Sequence, residues 1–101
     1  IPAVPLAELG KRGWPIPHIV GDYPQAADLR QLVRLLRNSI AHFNIEFKID
    51  EHRQIHGLTL WNTFPRNRKV TWKAELTVAE IGVLAHRFVS LLLQEETHAA
   101  V

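Results

Sequence analysis

The chain has 101 residues, 47% of them apolar, which suits one globular domain with a modest core and excludes a disordered segment. Twelve basic against ten acidic residues leave a formal charge of +2, too small to argue for nucleic acid by itself. Cysteine is absent, which excludes disulfides, thiolate zinc sites and cysteine nucleophiles and suits the cytoplasm.

No apolar run approaches the ~18 residues that span a bilayer. The opening Ile1-Pro2-Ala3-Val4-Pro5 has neither the basic end nor the apolar stretch of a signal peptide. It also lacks a starting Met, so the chain is expected to begin inside a longer gene product.

Residues 1–24 hold five of the six prolines and three of the five glycines, which predicts an extended or looped lead-in. Leu6-Ala7-Glu8-Leu9 suits one helical turn before Gly10. Trp14, Ile16, Ile19, Val20 and Tyr23 are too apolar for a free linker and are expected to pack over the core. His18, among them, reads as an ordinary surface or packed residue.

The spacing predicts a first main helix from about Gln25 to His42, started by Asp22 or Pro24. Leu29, Val33, Leu36, Ile40 and Phe43 recur at three and four, which puts them on one apolar face, with Leu32 widening it. Arg34, Asn38 and Ala41 fall on the other side. After His42 the period changes to two. Phe43, Ile45, Phe47 and Ile49 alternate with Asn44, Glu46, Lys48 and Asp50, the pattern of a half-buried strand. A polar turn at 50–53 leads to a second strand through Ile55, Leu58, Leu60 and Trp61, with Gly57 as a bulge. A basic loop runs from Asn62 to Lys69, and Val70, Trp72 and Ala74 suggest a short third strand. Thr77-Val78-Ala79-Glu80 is a capping box that opens a second main helix to about Gln94. That helix is apolar around most of its circumference, which calls for a second subunit, and Gly82 and Ala85 would let another helix approach.

The expectation is therefore a small α+β domain of two main helices and a three-stranded antiparallel sheet. His52 and His56 do not share a helix face, and no metal site or cofactor is called for. His86 and His98 read as solvated or packed. Trp61 and Trp72 read as core, or as stacking platforms for unpaired RNA bases if exposed beside Arg66 and Arg68.

The chemistry concentrates in Leu36-Arg37-Asn38-Ser39-Ile40-Ala41-His42. An arginine fork matches phosphate oxygens, and imidazole as a side-chain type exchanges protons near neutral pH. The same residues also suit a solvated helix end, where positive charge meets the C-terminal dipole. Arg37 and His42 are separated by about 140° and ~7.5 Å along a helix, so they flank Asn38 and do not stack.

This stretch resembles the Arg-x(4–6)-His motif of the HEPN superfamily, in which a polar residue often follows the arginine. The following Phe43-Asn44-Ile45-Glu46-Phe47 is similar to plasmid and bacterial members with a hairpin after the motif helix. The resemblance covers roughly residues 25–95. The usual HEPN bundle has more helices, so either one precedes Ile1 or this branch is reduced. What the resemblance implies is metal-independent RNA cleavage by 2′-hydroxyl attack, in a toxin or defence component. Arg37, Asn38 and His42 would be catalytic, and Arg34, Arg66, Arg68 and Lys69 would bind RNA. The implied partners are RNA, a second copy forming a composite cleft, and a cognate antitoxin. The alternatives are a non-catalytic HEPN-like module binding RNA, nucleotides or a protein, and a purely structural dimerisation domain.

Overall fold

In the computed structural model, residues 2–99 are described, with side chains described to residue 93. The order is α1 (Leu6–Lys11), β1 (His18–Ile19), α2 (Leu29–Ala41), β2 (Ile45–Ile49), β3 (Ile55–Thr63), β4 (Val70–Thr77) and α3 (Val78–Ala99). The strands form one antiparallel sheet in the order β1-β4-β3-β2. The α+β expectation holds, but the sheet has four strands. The missed one, β1, is two residues long, too short for any periodic signal, and pairs His18 with Glu75 and Ile19 with Ala74. A third helix, α1, runs through Gly10, with Leu6 and Leu9 buried in the core.

The lead-in is thus part of the domain. Val4 O accepts from the Leu29 N–H, and Leu6 N–H donates to Ala27 O, which ties the start of the chain to the start of α2. Trp14, Ile16 and Ile19 pack against the core as expected. His18 is exposed, with Nε2 3.3 Å from Glu80 Oε2.

α2 starts later than expected. Its cap is Asp28, whose Oδ1 accepts from the Gln31 N–H at 2.8 Å, while Gln31 Oε1 accepts from the Ala27 N–H at 2.7 Å. Asp22 and Pro24 lie well before it, in a loop. The signal was present in the sequence: Asp28-Leu29-Arg30-Gln31 has capping-box spacing. The buried face is also rotated from the expected one. Leu29, Leu32 and Ser39 are buried, whereas Ile40 is 61% exposed and Phe43 is 71% exposed. The cause is a buried polar contact. Ser39 Oγ lies 2.9 Å from both Leu35 O and Trp61 O and accepts from Asn62 Nδ2 at 2.8 Å. Asn62 Nδ2 also donates to Leu35 O at 2.7 Å. A buried amide or hydroxyl is costly unless bonded, so this network sets which side of α2 meets β3.

The bulge lies beside Gly57, not on it. Lys48 opposes Gly57 and Ile49 opposes Ile55, which leaves His56 as the extra residue. Gly57 instead permits a close approach of two strands, because a Cβ there would sit 2.7 Å from Leu76 O. Trp72 is core, as expected, together with Leu60, Ala74 and Leu76. Trp61 is half-buried and lines a cavity.

The capping box forms as read. Thr77 Oγ1 accepts from the Glu80 N–H, and Glu80 Oε1 accepts from the Thr77 N–H. The Thr77 amide is the main cause that holds the Glu80 carboxyl below the usual glutamate range, with His18 adding to it. α3 extends beyond Gln94 to Ala99, and His98 lies outside the described side chains. Val78, Val83, Val89, Leu92 and Leu93 are exposed along it. Among the described residues, no helix is long and apolar enough to cross a membrane.

Candidate functional site

α2 stops at His42, and the chain reverses through Phe43, which sits at φ 53° in the left-handed region. Phe43 N–H donates to Ile40 O, and Asn44 N–H to Ser39 O at 2.7 Å. These two bonds form the paired closure that usually recruits glycine at this position. Asn44 O then accepts from the Trp61 N–H, which ties the corner to β3. The corner therefore holds the motif end of α2 at a defined place over the sheet.

Beside it lies a cavity of about 730 Å³, lined among others by Asn38, His42, Asn44, Trp61, Thr63 and Arg68. The loop at 64–69 forms its far wall. Phe64 N–H donates to Lys69 O, Arg68 N–H donates to Phe64 O, and Arg68 adopts a left-handed φ of 57°. That turn brings Arg68 onto the same cavity as Asn38 and His42. Arg66 and Lys69, exposed on the same loop, lie outside its lining.

Arg37 is not in this cavity. It lines a second groove, of about 410 Å³, with Arg34, Gln31 and Asp28. The helical rotation between positions 37 and 42 thus places the two motif groups on different surfaces of one chain. Sequence reasoning grouped Arg37, Asn38 and His42; the structure groups Asn38 and His42 with Arg68. It adds Asn44, Trp61 and Thr63, which the motif did not point to. It also adds Ser39 and Asn62, which hold the motif helix on β3. Their partnership spans 23 positions, so no local pattern signalled it.

A family model described as HEPN pEK499 p136 matches residues 1–99. The chain belongs to this HEPN family. The match takes in the lead-in as well as the helices and the sheet, in keeping with the burial of Leu6 and Leu9. No curated protein and no solved structure matches the chain. Among the described residues of this HEPN domain, no group of three His, Asp or Glu side chains is placed to hold a metal ion. The cavity instead offers the HEPN chain an imidazole, amides, a guanidinium and a half-buried indole, a set suited to a nucleotide's phosphate, sugar and base.

Proposed function

We propose that this HEPN domain is a metal-independent endoribonuclease, acting in the cytoplasm as a toxin or defence component. The observation that carries the reading is the shared cavity of Asn38, His42 and Arg68, with room for a nucleotide. RNA supplies its own nucleophile. The 2′-oxygen attacks phosphorus, the bond to the 5′-oxygen breaks, and a cyclic phosphate and a free 5′-hydroxyl remain. His42 handles a proton of this exchange, Asn38 orients the phosphate, and Arg68 and Trp61 hold the adjoining nucleotide. Arg37 supplies charge to the phosphate, and Arg34, Arg66 and Lys69 attract the chain electrostatically.

Arg37 and His42 occupy separate grooves, so a single chain does not offer both to one phosphate. A second copy would let Arg37 of one chain serve His42 of the other, in a composite cleft. The exposed apolar face of α3 supports such a contact, as does Gly82, which has open space where a Cβ would lie.

The test is labelled single-stranded RNA incubated with the protein in EDTA. The parent leaves cyclic phosphate ends, and His42→Ala lowers the rate by about 10²–10⁴-fold. Arg37→Ala also loses cleavage, and an equimolar mixture of the two variants recovers part of it if the cleft is composite. The separation of Arg37 from His42 favours one second reading, a binding module. Binding that needs Arg68 or Arg37, without cleavage, would establish that reading and remove the first.

A further inference from the structure

The outer edge of the sheet is β2, Ile45-Glu46-Phe47-Lys48-Ile49. Asn44 O and the Asp50 N–H both bond towards β3, so the backbone groups of Ile45, Phe47 and Ile49 point to the free edge. No proline interrupts this row. Phe47 is 49% exposed and Ile49 60%, with Phe43 just before them and Ile55 opposite Ile49. An edge with open donors and flanking apolar side chains is a template for another strand.

The order of residues says which strand fits. Turned antiparallel on itself about Phe47, the segment is self-complementary. Phe47 meets Phe47, Ile45 meets Ile49, and Glu46 meets Lys48 twice. Phe47 is also one of the residues whose amide and carbonyl face outward, so the centre of symmetry is a hydrogen-bonded pair. Glu46 has no ion-pair partner among the described residues, while Lys48 Nζ bonds Glu75 on the same sheet face.

We propose that β2 pairs antiparallel with the β2 of a second copy, in register about Phe47, so that the two four-stranded sheets become one. The apolar side chains of both edges then cover each other on the helix side, and the charged pairs line the other side. This contact stands apart from the ribonuclease reading and from the face of α3. With ~3.4 Å per residue, it holds the two Asn44 corners about 20 Å apart along the strands, so each copy keeps its own cavity.

The test is sedimentation velocity on the full chain up to about 100 µM, with circular dichroism to verify folding. E46K and K48E each convert both cross-strand ion pairs into repulsions, and each weakens self-association about tenfold. An equimolar mixture of E46K and K48E restores it, because every pair between unlike chains is attractive again. The series is run in a V83E background, which removes the α3 contact, so that the association read is that of β2. A parent chain that stays monomeric, single variants that associate like the parent, or a mixture no tighter than its parts would each overturn the proposal. RNA cleavage by E46K at the parent's rate is expected, so failure here and failure of the ribonuclease reading are read separately.

Discussion

The two edges of the sheet are finished in opposite ways. β1 has two residues, lies between Pro15, Pro17 and Gly21, and is backed by α1 and the packed lead-in. Proline removes donors and a short strand presents few, so this edge templates nothing. β2 is longer, has no proline and leaves Phe47 and Ile49 half in water. The same kinds of apolar side chain are closed over at one edge and left open at the other. The open edge adjoins the motif corner and its cavity, so the unfinished side of this domain is also its candidate working side.

Cavity-making substitutions give the largest expected contrast. Leu32→Ala, fully buried on α2, should cost about 2–5 kcal/mol by urea denaturation. Phe47→Ser, measured at concentrations dilute enough to keep the chain monomeric, should cost under about 1 kcal/mol. Equal losses would abolish the distinction between closed and open edges. Next comes the seam between them. Asn62→Ala removes a donor to both Ser39 Oγ and Leu35 O and should cost about 1–3 kcal/mol. On the proposed ribonuclease reading it should also lower RNA cleavage, because α2 then sits less firmly over β3.

Smaller effects sharpen the comparison. Thr77→Ala breaks one half of the capping box where α3 joins the closed side, for a loss of about 1 kcal/mol in thermal or chemical denaturation. Phe43→Gly should act in the other direction and stabilise the chain by about 0.5–1 kcal/mol, since glycine takes the left-handed position without strain. A stabilised but less active or less associated variant would show that the bulky residue serves the open side. The smallest effect is in pH. Glu80 has a folded pKa below its unfolded one, so its contribution is complete above the usual glutamate range and is lost as pH falls from that range through the lower folded pKa. Glu80→Gln should flatten the acid limb of the melting temperature against pH.

Much of the fold was legible because its causes are local. The alternation from Ile45 to Ile49, the capping box at Thr77 and the change of period after His42 are all properties of neighbouring residues. Asp28 with Gln31 was equally legible, yet Pro24 and Asp22 drew the boundary too early, because both also suit helix starts. β1 was not readable, since two residues carry no period and are held by β4. The expected apolar face of α2 was wrong at Ile40 and Phe43 for a related reason. Hydrophobicity alone ranks isoleucine above serine, but Ser39 is buried because Asn62 and Trp61, more than twenty positions away, bond it. For the candidate site, residue types at Arg37, Asn38 and His42 were visible, but not which of them share a surface. Arg68 joined the cavity through a left-handed turn that nothing in the local composition required.

By itself, the order of residues determined much of what each segment becomes: which stretches are helical, which strands alternate, and where arginine, amide and imidazole groups lie along the chain. It did so because hydrogen bonds at helix ends and side-chain periodicity act over a few positions. Only the tertiary structure decided which flank of α2 faces the sheet, which edge stays open, and that His42 shares a cavity with Arg68 and not with Arg37. Those outcomes come from contacts between distant segments, where burying a polar group or filling a space depends on what the rest of the fold brings opposite it.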